Sequence, residues 1–153
     1  SLLFNVFQYV NSTKILDAKD KEILKVKANL KTSRDSVATL ANANYFALES
    51  DEDAQEYFFS NNLDYQKVAV KVKEDLISLN ENKKGNPLVP YEPIDGVPFL
   101  INTSKILNHR WIIAEFSCGD LWGQVLIKYF VTEGKPTYFE TVETVLYERQ
   151  TKE

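Results

Sequence analysis

Between positions 110 and 131 the chain carries two runs rich in β-branched and aromatic residues, Arg110–Cys118 and Leu121–Val131, parted only by Gly119-Asp120. A two-residue break containing glycine suits the primed turns, whose twist matches that of paired strands, so the segment is read as a tight antiparallel hairpin. The turn then sets the register. Cys118 faces Leu121, Phe116 faces Gly123, Ala114 faces Val125 and Ile112 faces Ile127, all on one side of the ribbon. That side is apolar throughout and has to be covered. Because side chains alternate with a period of two, moving the turn by one residue would exchange the hidden and the presented sets.

A second turn near Gly134-Lys135 returns Thr137–Arg149 along the ribbon, with Val142 opposite Ile127, Thr144 opposite Val125 and Leu146 opposite Gly123. Phe99–Ile101 is expected to add a fourth strand, although spacing alone does not define its partners. The stretch from about Asn80 to Pro98 holds Gly85, Gly96 and four of the five prolines, and is read as a connecting loop with a turn at Asp95-Gly96.

Upstream, the apolar period changes from two to that of a helix. Leu3, Val6, Phe7 and Val10 line one face before Asn11-Ser12-Thr13 interrupts them. From about Asp17, Ile23, Val26 and Leu30 form a second stripe; Thr32-Ser33 offers a break and a new cap before Val37, Leu40, Ala41 and Leu48. Ser50, followed by Asp51, Glu52 and Asp53, predicts a capped helix carrying Tyr57, Phe58 and Phe59. Tyr65, Val68, Ala69, Val72 and Leu76 predict another, while Val68, Val70 and Val72 also alternate as in a strand. The expected fold is α+β, with N-terminal helices packed on one face of a C-terminal antiparallel meander of three to four strands. One domain is expected over 1–153, helical over about 3–80, loop over about 81–98 and sheet over about 99–150.

Composition removes several classes of partner. An apolar content of 44% is too high for a disordered polymer, yet no uncharged run approaches the roughly 18 residues of a membrane span. A soluble protein with no membrane partner is expected. The net charge of −4 arises from interspersed acids and bases without a basic block, so nucleic acid is not expected as a partner. Cys118 is alone, and Ser1-Leu2-Leu3-Phe4 has neither the basic region nor the long apolar region of an export signal. Both point to the cytoplasm.

The ribbon's other face is where function is expected. In the same register it carries Trp111, Ile113, Glu115, Trp122, Gln124, Leu126, Lys128, Phe130, Phe139, Glu143, Val145 and Tyr147, with His109 at one end. It is too aromatic for a purely solvated face. Lys128 falls opposite Trp111 and diagonal to Glu143, in reach of a cation–π contact on one side and an ion pair on the other. Trp111, Glu115, Trp122, Gln124, Lys128, Glu143 and Tyr147 are the candidate binding residues, for a homodimer or protein partner, or for a small molecule held in a pocket.

The chemical motifs are sparse. Glu115 and Glu143 lie two strands and two positions apart, about 11–12 Å, beyond the roughly 5–9.5 Å of paired glycosidase carboxylates. Cys118 and His109 fall on opposite faces, which rules out a thiol–imidazole pair on an unbent strand. One His and one Cys make a poor zinc set, so no metal is assigned. The acids from Glu49 to Glu56 lack the glycine and ligand spacing of a calcium loop, and the glycosylation sequons at Asn11 and Asn102 are short enough to arise by chance. No cofactor and no catalytic residue are assigned, and the chain is read as leaning away from an enzyme. Helices followed by a meander resemble the element order of the cystatin-like and nuclear-transport-factor-like cone folds, which often enclose a pocket; that resemblance assigns no residue a role.

Overall fold

A computed structural model describes residues 1–148 and divides the chain into two compact units, Ser1–Asn44 and a second that begins at Tyr45. The first is one helix, α1 (Leu2–Ala43), with no buried residue. The breaks expected at Asn11-Ser12-Thr13 and Thr32-Ser33 do not occur. Thr13 Oγ1 donates to the Tyr9 carbonyl and Thr32 Oγ1 to the Ala28 carbonyl, each at 3.0 Å and four residues back. A hydroxyl engaged in that way caps no new helix. The strong helix breakers are missing here, since the first glycine is Gly85 and the first proline is Pro87. Each interior Ser, Thr or Asn costs at most about 0.7 kcal/mol relative to Ala.

The second unit holds α2 (Glu52–Ser60), α3 (Tyr65–Ser78) and an antiparallel sheet of β1 (Leu100–Ile106), β2 (Trp111–Cys118), β3 (Leu121–Phe130) and β4 (Tyr138–Glu148), in the order β1-β2-β3-β4. This is the α+β arrangement read from the sequence. Leu48, expected on the last stripe of the N-terminal helices, is instead fully buried in a short 3-10 turn at Leu48–Ser50. The cap of α2 is Asp51 rather than Ser50: its Oδ1 accepts from the Ala54 N–H at 2.9 Å. Asp64 caps α3 in the same manner, accepting from Gln66 N–H at 2.9 Å. On α3 the helical period prevails over the strand-like alternation, because Val68, Val72 and Leu76 are buried while Val70 is exposed.

The hairpin between β2 and β3 has the register that the turn demands, from Cys118 opposite Leu121 to Trp111 opposite Lys128. Gly119 has φ 58° while Asp120 does not enter the positive region, which is the pattern of a II′ turn. On β4, Leu146 and Thr144 face Gly123 and Val125 as expected, but a bulge between Leu126 and Ile127 leaves Val142 unpaired and sets Thr141 opposite Ile127. The bulge turns Thr141 to the covered side, where its Oγ1 donates to the Leu88 carbonyl at 2.7 Å. Beyond it the faces exchange, so Phe139 lies opposite Tyr129 on the covered side and Glu140 comes opposite Lys128. Arg149, the expected end of this strand, lies outside the described residues. The fourth strand is longer than Phe99–Ile101 implied and pairs with β2 from Leu100 opposite Ser117 to Ile106 opposite Ile112.

The covered side bears Ile112, Ala114, Phe116, Val125, Ile127 and Tyr129, all buried. Their cover comes from Ala54 and Phe58 of α2, the Val68–Val72–Leu76 stripe of α3, and Leu88, Val89 and Phe99 of the connecting segment. Phe116 needs Gly123 opposite it, because a Cβ there would lie 2.6 Å from the Phe116 ring and 2.2 Å from the Val145 carbonyl. Two asparagines tie the segment down. Asn86, buried, donates to the Leu76 carbonyl and to Asn80 Oδ1, and Asn80 in turn pairs with both the N–H and the carbonyl of Ile101 at 3.0 and 2.9 Å. That pairing satisfies backbone groups on an edge strand that would otherwise be open.

Asp75 fastens α3 to the start of β4: its carboxylate accepts from the Thr137 N–H at 2.9 Å, the Thr137 hydroxyl at 2.6 Å, and Lys71. Burial pushes this carboxyl up, but the hydrogen bonds from Lys71 and Thr137 outweigh it and hold the group below its ordinary value. A lowered folded-state pKa gives stability that is present above the unfolded value and is lost as pH falls through the folded one. Asp75→Asn is therefore expected to be less stable than the parent at neutral pH, with the difference shrinking once the pH drops below the ordinary carboxylate range. Urea midpoints across that range check it, and a difference independent of pH would contradict the assignment.

Candidate functional site

All seven residues singled out from the sequence lie on the sheet face opposite the core, and the strand pairing sorts them into neighbours. Trp111 is paired with Lys128, whose Nζ lies 5.5 Å from the Trp111 ring centroid. Glu115 is paired with Gln124, and both are half-buried. Trp122 is paired with Tyr147, with ring centroids 4.6 Å apart and planes at 37°. Glu143 stands opposite Leu126, but its Oε1 accepts from the Thr144 N–H at 3.0 Å and forms no ion pair with Lys128. The face thus has an aromatic–cation pair at one end, an aromatic pair at the other, and a polar pair between them.

The bulge in β4 changes the membership of this face. Phe139, expected here, is packed against the core, while Glu140 and Tyr138 are carried onto this face opposite Lys128 and Phe130. No spacing in the sequence marks the bulge, because Thr141 and Val142 are both ordinary strand residues.

His109 also departs from its expected place at the end of this face. It sits in the β1–β2 connection with its ring 4.5 Å from Tyr57 of α2, inclined at 30°. Next to it, Arg110 donates to the Tyr57 hydroxyl and to the Tyr129 carbonyl, each at 3.2 Å, and its guanidinium lies 4.1 Å from the Phe130 ring centroid. The connection is held by Asn108, whose Oδ1 accepts from the N–H groups of Arg110 and Trp111, and whose carbonyl accepts from the Tyr129 hydroxyl at 2.6 Å. Burial pushes the Tyr129 phenol well above its ordinary value, so it stays protonated and donating. Arg110 is an anchor between α2 and the sheet rim that the sequence reading passed over.

A recess of about 450 Å³ opens at the hairpin end of the outer face, lined by Asn102, Glu115, Ser117, Gly119–Leu121 and Trp122. Its walls are mainly polar, and Asn102 Nδ2 donates to Ser117 Oγ at 2.7 Å across it. Neither Trp111 nor Lys128 lines it. Cys118 is on the covered side, donating to the Val97 carbonyl at 3.1 Å, so it is separated from this recess by the sheet itself. Among the described residues no cluster of three or more His, Cys, Asp or Glu is placed to hold a metal, and no helix is long and apolar enough to cross a membrane.

Side chains kept for binding should be dispensable for folding. Trp122→Ser with Tyr147→Ser removes the ring pairing, worth about 0.5–1.5 kcal/mol, together with the partial burial of both rings, and is expected to cost less than Phe116→Ala, which should lose about 4 kcal/mol. Denaturant unfolding of the two variants checks this, and equal losses would make the outer face structural. No protein-family model, curated protein or solved structure matches this chain.

Proposed function

We propose that the second unit is a non-enzymatic binding module whose outer sheet face receives a protein partner. The observation that carries this reading is the aromatic content exposed on one side of the sheet, opposite the side on which β2 and β3 form the core. Trp122, Phe130, Tyr138 and Tyr147 are all exposed there, with Trp111 half-buried beside Lys128. Trp, Tyr and Phe are the residues enriched in interface cores, since each carries a large apolar surface at little cost in side-chain freedom. An open sheet face with a rim of Lys105, Glu140 and Glu143 fits a macromolecular surface better than it fits a drug-sized molecule, which needs enclosure on several sides.

The second reading, a small-ligand carrier or an enzyme, rests on the recess beside Glu115 and Trp122. Its mainly polar lining and its position away from Trp111 and Lys128 make it the weaker of the two.

Photo-crosslinking distinguishes them. A benzoylphenylalanine placed at Tyr147 of the full chain, with Val70 on the exposed side of α3 as control, is expected to yield polypeptide adducts in native extract at Tyr147 only. Adducts below the size of a peptide would favour the ligand pocket, adducts with the same chain would identify a second copy as the occupant, and equal labelling at both positions would overturn the proposal.

A further inference from the structure

We infer that α1 is one strand of a parallel two-helix coiled coil whose other strand is α1 of a second copy of this chain. Leu2, Tyr9, Leu16, Ile23, Leu30 and Val37 recur every seven residues along the whole of α1. From Leu16 onward a second column, three residues later, supplies Val26 and Leu40, with Lys19 and Ser33 at the other two positions. A straight α-helix has about 3.6 residues per turn, so a strict seven-residue column drifts around it by about 20° per heptad. The column stays on a contact line only when two helices wind about each other. The period therefore selects a long helix with the same repeat as the partner, in preference to a globular surface.

Every large apolar side chain of α1 is exposed, from 46% at Val10 to 83% at Leu2 and Leu3. Helices gain most of their stability in water from packing an apolar face, and this one has that face unpacked. A second copy buries the seam columns and pairs charged flanks, while Leu3, Phe4, Phe7, Val10 and Leu24 lie off the contact line. In a parallel, in-register pair, a residue flanking the first column meets the residue five positions on in the other strand. Glu22 then meets the partner's Lys27, twice by symmetry, and Asn29 meets the partner's Arg34, with no like charges opposed at these positions. The 42 residues of α1 extend for about 63 Å, and a contact strip about 10 Å wide along them removes about 1,200 Å² from water in total, the lower end of stable interfaces. Lys19 is the one charge in the seam from Leu16 onward, where it meets the partner's Lys19, with Asp20 and Glu22 alongside to offset the like charges. A polar group there weakens the pair while restricting its register.

The core of the second unit contains no residue of α1, so seam variants are expected to leave that unit folded. Pairing through α1 does not depend on what occupies the outer sheet face. The test is sedimentation equilibrium of the full chain over the micromolar range, with far-UV circular dichroism for helix content and near-UV dichroism for the second unit. A dimer is expected. Ile23→Lys with Leu30→Lys should render it monomeric with reduced helicity and an unchanged near-UV spectrum. Lys19→Leu should tighten it about tenfold or more, while Lys25→Leu, off the seam, should not. Glu22→Lys should weaken the dimer several-fold and Glu22→Lys with Lys27→Glu should restore it. A parent chain that stays monomeric, a dimer that survives the paired lysine substitutions, or a charge exchange that fails to restore association would each overturn the proposal.

Discussion

The reversal at Gly119-Asp120 lasts two residues, and that number decides which alternate residues of the second unit meet the core. With two, Ile112, Ala114 and Phe116 share a side with Val125 and Ile127, and every one of them is buried. One residue more or fewer would turn one strand over relative to the other, setting either Trp111 and Glu115 or Lys128 against α2 and α3 and desolvating a charged group among apolar side chains. The pairing of Phe116 with Gly123 locks the same choice from within the sheet, because the ring fills the space a side chain at Gly123 would need. Once that side is committed, the mixed face is left in water, and its aromatic residues call for a functional account.

Where local chemistry and tertiary structure agree, the sequence was sufficient. The alternation in β2 and β3 and the punctuation between them carried the register without error, and Val68, Val72 and Leu76 were correctly placed on a helix despite their branched side chains. Where a residue can serve two ends, it was not. Thr13 and Thr32 are good helix caps and also tolerable interior residues, and with no glycine or proline nearby their hydroxyls turned back onto the helix. The missing signal was an absence, since no glycine or proline lies within Leu2–Ala43. Thr141 illustrates the opposite limit: its bond to the Leu88 carbonyl, 53 residues away, accompanies the bulge that removes Phe139 from the outer face and adds Glu140. A long-range bond of that kind has no trace in local pattern. The candidate residues on β2 and β3 were therefore legible by parity alone, while the β4 side of the face and the Arg110 anchor depended on contacts with α2 and the connecting segment.

The two units present two apolar surfaces of different character. The sheet face is broad, pleated and interrupted by charge, as interfaces that form and separate tend to be. The face of α1 is a narrow repeating line, suited to another line of the same period. A chain that pairs through α1 would hold two sheet faces in one assembly, which raises the effective concentration of each for a partner that bears two sites.

Thiol accessibility tests the parity of the hairpin most directly, because Ser117 and Cys118 are adjacent in sequence and fall on opposite faces. Native Cys118 is predicted to resist a maleimide reagent until the second unit unfolds, whereas a thiol introduced as Ser117→Cys in a Cys118→Ser background is predicted to react promptly under native conditions. Rapid modification of native Cys118 together with protection at position 117 would contradict the account, for it would place the other set of side chains against the helices.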